Sequence, residues 1–307
     1  MKALVISGGG SKGAFAGGIA EYLINVEKHQ YDLYVGTSVG SLITSQLALN
    51  KLSELKKTFT SISNKDIFSI SPFRIKTNKN GAIEISINHF NSLRAFIRRA
   101  YTFGESKSLH LLIKSMISEQ EFNHIKKQSR MIFTVSNLTT QKTVYIDSKD
   151  TEYIDFIDYL WASANIVPFM SLLNKNNCQY ADGGFGMHIP VFHAIEQGAT
   201  EIHVINLKSD MEDTAPQKLK NPFQSLMGVF NFMANQIGLK DMLIGKLKGR
   251  QKQIDVKIWS PKEHITNNSL YFNPELMNKW WEDGYLFAKN KKPICHCFLP
   301  NGEIMEF

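Results

Sequence analysis

Asp32-Leu33-Tyr34-Val35-Gly36-Thr37-Ser38-Val39-Gly40 is the stretch that decides how this chain is read. Asp32–Val35 has the composition of a short buried strand and ends at Gly36. After Ser38, the residues Leu42, Ile43, Leu47, Leu49 and Leu52 recur at helical spacing. Gly36–Gly40 therefore matches G-x-S-x-G on a strand-to-helix turn. Such a turn needs small residues on both sides of the serine. It lifts the hydroxyl out of the sheet and sets it at a helix N-terminus, where partial positive charge favours a developing anion. The five-residue pattern recurs by chance, so its surroundings must carry the argument.

Upstream, Lys2–Ile6 reads as a strand, Gly8-Gly9-Gly10-Ser11-Lys12-Gly13 as a loop, and Ala14–Val26 as a helix. Strand, loop, helix, strand, turn, helix is the opening of a parallel α/β sheet. Downstream strands are expected at Arg130–Asn137, Lys142–Ile146, Cys178–Ala181, Glu201–Asn206 and Asp255–Ser260. Helices are expected at Asp155–Asn165, Val191–Gln197, Pro222–Lys248 and Pro274–Lys289. Between about residues 68 and 127, Ser71-Pro72, Asn78-Lys79-Asn80-Gly81 and Phe103-Gly104 punctuate loops and short helices. The simplest organisation is one α/β domain over residues 1–290 with a helical insertion at about 68–127, then a short tail at 291–307.

The chain has 307 residues, 43% of them hydrophobic, which is enough for a sizeable core. Its net charge of +7 favours anionic partners, whether nucleic acid or membrane surface, without deciding between them. The three cysteines, Cys178, Cys295 and Cys297, read as reduced thiols. Cys295-His296-Cys297 has no second ligand pair at zinc-site spacing, and no acidic loop has calcium-ligand spacing, so no metal or cofactor is expected. The start at Met1 shows no secretory signal, and no apolar run approaches a membrane span. A cytoplasmic protein is the expectation.

The glycine loop admits two readings. As G-x-G-x-x-G (Gly8, Gly10, Gly13) with Asp32 downstream, it fits a dinucleotide site of an oxidoreductase, but Asp32 opens the second strand where the ribose-binding acid should close it. Alternatively, bare backbone N–H groups in this loop form an oxyanion hole beside the serine. A Walker A loop is excluded because Lys12 precedes the last glycine. The serine also needs a base. His203 alternates within an apolar strand and reads as a core or edge residue, and His193 lies on a helix. His188 lies in a loop near Asp182 and is the histidine to weigh. Asp182 follows a short strand and precedes Gly183 and Gly184, where a carboxylate can reach a neighbouring strand's hydroxyl.

Taken together, these elements resemble the patatin-like phospholipase family. The resemblance rests on the glycine loop with its basic residue (Gly8–Gly13, with Lys12), G-x-S-x-G (Gly36–Gly40) and D-G-G (Asp182–Gly184). A further block, Ala162-Ser163-Ala164-Asn165-Ile166-Val167-Pro168-Phe169, and the stretch from Phe272-Asn273-Pro274-Glu275 to Gly284-Tyr285 also look like the family. The resemblance spans residues 1 to about 290 and is weakest over 68–127. It implies a three-layer α/β/α fold with a mainly parallel sheet. It also implies a Ser38–Asp182 dyad without a catalytic histidine, and an oxyanion hole from the N–H groups of Gly9, Gly10 and Val39. The implied substrate is a phospholipid, lysophospholipid or simpler lipid ester, with no nucleic-acid partner. One departure is His188 before Pro190, where the family often carries Asn, so His188 stays in view for proton transfer.

Two stretches could meet lipid. Ser92–Tyr101 sets Leu93, Phe96, Ile97 and Ala100 near one face beside Arg94, Arg98 and Arg99, which suits an interfacial helix on anionic membrane. Pro222–Lys248 carries Phe223, Met227, Phe230, Met233 and Ile237 and then a basic end; such a stripe serves a core, an acyl-chain wall or a membrane contact. A non-catalytic lipid-binding protein on the same fold is the remaining alternative, and the intact dyad argues against it.

Overall fold

Lys2–Ile6 (β1) sends Leu4 and Ile6 into one apolar cluster and Ala3 and Val5 into another. A strand buried on both faces needs helices on both sides, the usual setting of a parallel sheet. The computed structural model of the chain describes residues 1–77, 83–209, 222–266, 268–298 and 304–306. Its other strands are Leu33–Thr37 (β2), Phe73–Thr77 (β3), Ile83–Ile87 (β4), Arg130–Asn137 (β5), Lys142–Asp147 (β6), Leu173–Lys175 (β7), Cys178–Asp182 (β8), Glu201–Ile205 (β9), Asp255–Trp259 (β10), Ile294–Phe298 (β11) and Ile304–Glu306 (β12).

Among the described residues, ten strands form one sheet in the order β12-β11-β10-β9-β1-β2-β5-β8-β7, with β6 also paired to β5. The central run β10-β9-β1-β2-β5 is parallel. One face is covered by helices that include Gly13–Asn25, Val39–Ala48, Tyr153–Ser163 and Pro274–Asn290. The other is covered by Val191–Glu196 and, through Met242, by the later half of Pro222–Lys252. The architecture is three-layer α/β/α, as the sequence implies.

Two segments differ from expectation. The stretch at 68–127 is not purely helical, because β3 and β4 form an antiparallel hairpin within it. Phe73-Arg74-Ile75-Lys76-Thr77 and Ile83-Glu84-Ile85-Ser86-Ile87 both alternate with period two, the strand signature. Asn78–Gly81 falls outside the described residues. The tail is also not merely a tail: β11 runs antiparallel to β10 and covers an edge that would otherwise expose unpaired backbone groups. Cys178 is a free thiol, while the side chains of Cys295 and Cys297 lie outside the described set.

The feature that builds the site is the crowding of β5. β2 pairs with its first half, ending at Thr37 opposite Thr134. β8 pairs antiparallel with Val135–Asn137, and β6 takes residues 132–137. Since β6 occupies one edge there, β8 must continue on the edge that β2 has just left. Ser38, one residue past Thr37, thus meets Asp182, which is paired to Val135.

Candidate active site

Ser38 has φ 55° and ψ −127°, a strained left-handed conformation forced by the turn from β2 into helix Val39–Ala48. Close packing dictates the flanking glycines. A Cβ on Gly36 would lie 2.6 Å from the Gly40 carbonyl carbon, and one on Gly40 would lie 2.2 Å from the Ile6 carbonyl oxygen. The turn is pinned from behind: the Ser38 N–H donates to Ser163 Oγ at 3.1 Å, and Ser41 Oγ donates to the Ser38 carbonyl at 2.5 Å.

The Ser38 hydroxyl donates to Asp182 Oδ2 at 2.6 Å. The other carboxylate oxygen, Oδ1, accepts from the Gly184 N–H at 2.7 Å. The Asp182 N–H donates to the Asn165 carbonyl at 2.9 Å. Asp182 is buried, 4% exposed, and burial pushes its pKa up to about 7, partly offset by the bonds from Ser38 and Gly184. Gly183 packs against Thr134, whose hydroxyl bonds to that of Thr37 at 2.7 Å.

The glycine loop lies beside this pair, since a Cβ on Gly8 would be 3.3 Å from Ser38 Cβ. The Gly8 N–H donates to the His188 carbonyl at 3.2 Å. The N–H groups of Gly9, Gly10 and Val39 have no acceptor among the described residues. Gly10 has φ +57°, and a Cβ there would sit 2.1 Å from the Ser269 carbonyl oxygen. Gly13 begins the next helix against Val39 and Phe59. Lys12 is half-buried; burial and the charge of Lys208 bring its pKa down to about 8.

The His188 ring wedges between Gly8 and Gly184, with Nδ1 about 3.0 Å and 3.2 Å from where their Cβ atoms would be. Among the described residues, no hydrogen bond joins it to Ser38 or Asp182, whose bonds are otherwise accounted for. Burial, then Lys12 and Lys208, lower its pKa to about 4, so the ring is neutral at physiological pH. His203 is buried and bonds Tyr31 Oη at 2.8 Å and Glu201 Oε1 at 3.0 Å. His193 stacks on Tyr145 at 3.7 Å between ring centroids. Neither of these two approaches Ser38 closely enough to bond it.

Asp32 does not join the glycine loop. Its backbone is level with Lys2, and its carboxylate accepts from the Lys2 N–H at 2.8 Å. Gly8 is six residues further along the parallel direction, roughly 20 Å away at the usual strand rise. That separation removes the ribose-binding acid on which a dinucleotide site depends.

Sequence reasoning missed several supports. Ser163 and Asn165 were legible only as part of a block. Asp241 was legible only as the lone acid in 222–252. It accepts the N–H groups of His188 at 2.6 Å and Ile189 at 3.0 Å, and burial pushes its pKa up to about 6. This ties helix Pro222–Lys252 to the loop after Asp182. Sequence patterning also did not disclose a cavity beside the serine. It is lined by Gly10, Ser38 and Val39 and then by apolar side chains including Leu42, Ile113 and Leu160.

Residues 4–195 match the family described as Patatin-like phospholipase. A curated relative, described as the uncharacterized protein YjjU of Escherichia coli (strain K12), is 25% identical over 229 residues, or 71% of this chain. The chain spans only 55% of that relative's length. Among solved structures, VipD from Legionella pneumophila matches over 97% of this chain and 68% of its own, with a TM-score of 0.51 at 13% identity, a likeness of fold.

Proposed function

This chain belongs to the patatin-like phospholipase family, and from that premise we propose that it is a serine lipid acyl hydrolase working through Ser38 and Asp182. The observation that carries the reading is the 2.6 Å bond to a buried carboxylate from Oγ of Ser38, which lines an apolar cavity. A free aspartate has a pKa of about 3.9, too acidic to take a serine proton readily. Burial brings Asp182 to about 7, near the optimum for a general base at neutral pH.

In the proposed reaction, Ser38 Oγ attacks the ester carbonyl carbon while its proton passes to Asp182 Oδ2. The carbonyl oxygen becomes an oxyanion held by the N–H groups of Gly9, Gly10 and Val39, each such donor being worth about 3–4 kcal/mol. Collapse breaks the ester C–O bond, and Asp182 returns the proton to the departing alcohol. Water then gives a proton to Asp182 and attacks the acyl-enzyme, and collapse of the second intermediate releases the fatty acid and restores the Ser38 hydroxyl. The acyl chain occupies the apolar cavity. In this reading His188 is not the base: no hydrogen bond joins its ring to the pair, and a pKa lowered to about 4 makes it a weak proton acceptor.

Contact with anionic membrane is part of the proposal. Helix His89–Ile97 exposes Phe90 at 74%, Phe96 at 69% and Ile97 at 74%, with Arg94, Arg98 and Arg99 exposed beside them. Exposed aromatic and aliphatic side chains next to guanidinium groups suit the headgroup boundary of an anionic bilayer. No helix among the described residues is long and apolar enough to cross one.

The test is fatty-acid release from phosphatidyl and lysophosphatidyl substrates, with labelling of Ser38 by a fluorophosphonate probe. Wild-type turnover retained by Ser38→Ala or Asp182→Asn would sink the dyad. Lipid binding without labelling would favour the non-catalytic alternative. Vesicle co-sedimentation that ignores both anionic lipid and salt would remove the membrane contact.

A further inference from the structure

The loop after Asp182 is held from two directions. On the sheet side, Thr37 Oγ1 donates to the Met187 carbonyl at 3.1 Å, and the N–H groups of Gly186 and Met187 donate to the Gly183 carbonyl at 3.1 and 2.9 Å. The next two N–H groups, of His188 and Ile189, both donate to one oxygen of Asp241, Oδ2, at 2.6 and 3.0 Å. Asp241 belongs to helix Pro222–Lys252, and its face of that helix is shaped to the loop. Gly238 and Gly245 stand three residues before it and four after it, on the same face. A Cβ on Gly238 would be 3.3 Å from His188 Cδ2, and one on Gly245 would be 2.8 Å from Val191 Cβ. Asp241 is 6% exposed, and among the described residues no cation pairs with it. Burial pushes its pKa up to about 6, so an ionised carboxylate here costs stability that an apolar side chain would not.

What those two bonds fix is the main chain at His188. Its carbonyl accepts from the Gly8 N–H at 3.2 Å, and at the far end of the glycine loop the Ser11 N–H donates to the Ser269 carbonyl at 2.8 Å. Gly9 and Gly10 lie between these two anchors, and their N–H groups have no acceptor among the described residues. We propose that Asp241 is a positioning residue for the oxyanion loop: by holding the main chain at His188 and Ile189 it sets the Gly8 anchor, and through that anchor the aim of the Gly9 and Gly10 N–H groups at the reacting carbonyl. The proposal rests on the acyl-hydrolase reading. The route runs through the main chain of His188 and not through its imidazole. It requires an acceptor oxygen at residue 241, placed where Oδ2 now stands, and no proton transfer.

The experiment compares the full chain carrying Asp241→Leu, Asp241→Asn or Asp241→Glu with wild type. The substrates are lysophosphatidylcholine and a p-nitrophenyl ester, and kcat is taken per folded molecule, measured by circular dichroism. Asp241→Leu leaves two N–H groups unpaired and frees the anchor. Oxyanion donors act on the transition state, so its kcat should fall about 30- to 100-fold with KM within about twofold. Its kcat/KM profile should keep the wild-type pH midpoint, expected near 7, because Asp182 is untouched. Asp241→Asn keeps an oxygen that accepts both N–H groups and should bring kcat back to within about fivefold of wild type. Asp241→Glu keeps the charge but moves the acceptor by one methylene, so it should be slower than Asp241→Asn; that ranking decides the matter if Asp241→Leu fails to fold. Wild-type kcat in Asp241→Leu overturns the proposal, as does Asp241→Asn no faster than Asp241→Leu, or Asp241→Glu faster than Asp241→Asn. A pH midpoint displaced by Asp241→Leu overturns it too, since the loss would then run through Asp182. Wild-type protein that hydrolyses neither ester and leaves Ser38 unlabelled by a fluorophosphonate sinks the acyl-hydrolase reading itself, whereas an active wild type with an equally active Asp241→Leu sinks the positioning role alone.

Discussion

Asp182→Asn should make the protein more stable and less active, and the stability gain should depend on pH. The wild-type carboxyl moves from an ordinary 3.8 to about 7 because it is buried. A folded-state pKa raised above the unfolded one means that the native state holds a proton the unfolded chain has released. Between about pH 4 and pH 7 the native state binds more protons, so stability falls as pH rises through that window. Above pH 7 the full cost of the charged form is present, roughly 4 kcal/mol at one pKa unit per 1.36 kcal/mol. The asparagine variant keeps an oxygen for the Gly184 N–H and never ionises. Urea unfolding of both proteins at pH 4.5 and pH 8.5 measures the difference. We expect near-equal stability at pH 4.5 and a variant more stable by about 2–4 kcal/mol at pH 8.5, the lower figure allowing for desolvation of the amide. Taking the difference between the two proteins cancels Asp241 and His188, which titrate in both. In wild type, log kcat/KM should climb with pH and level off near 7, as the carboxylate becomes able to accept the serine proton. A variant that is less stable at pH 8.5, a gap that ignores pH, or a rate profile with its midpoint near 4 would refute the reasoning.

Three further predictions address the surroundings of the pair. Ser38→Gly should be more stable than Ser38→Ala by about 1–2 kcal/mol, with both inactive, because glycine accepts the φ of 55° that alanine must endure; thermal melts decide it. Ser163→Ala leaves the Ser38 N–H unpaired, so we expect a loss of about 1–3 kcal/mol in stability and a fall in kcat with little change in KM, read by denaturation and steady-state kinetics. His188→Asn should cost less than about tenfold in kcat/KM and leave the pH midpoint near 7; a loss comparable to that of Ser38→Ala would return the imidazole to the chemistry.

What the sequence made legible is what is local. G-x-S-x-G announces its own turn because Gly36 and Gly40 sit where any Cβ would strike backbone, and Asp182 is marked by the glycines that follow it. The glycine loop was ambiguous until Asp32 proved to sit at the wrong end of its strand. The supports were hidden because they join distant segments. Ser163 is 125 residues from the N–H it accepts, and Asp241 is 53 residues from the loop it holds. No periodicity records such a pairing. The hairpin of β3 and β4 was legible in its alternation, but the loop residues around it dominated the reading.

In the proposed dyad, the use of a short side chain where many serine hydrolases use a histidine follows from the register of β5. Most triads carry a proton across a gap that a side chain must span, and an imidazole has the reach. Here the main chain closes the gap. β2 ends with Thr37 opposite Thr134 and β8 ends with Asp182 opposite Val135 on the same edge, so two strand ends abut and Ser38 meets Asp182. Lengthening the base would push Ser38 off the turn that Gly36, Gly40 and Ser163 hold. The space a histidine might have used is filled by the His188 ring, packed between Gly8 and Gly184. The same abutment buries the carboxylate, and burial raises its pKa to about 7, which suits the proposed role. Position and basicity therefore have one topological cause, and a change in β5 register should disturb both together.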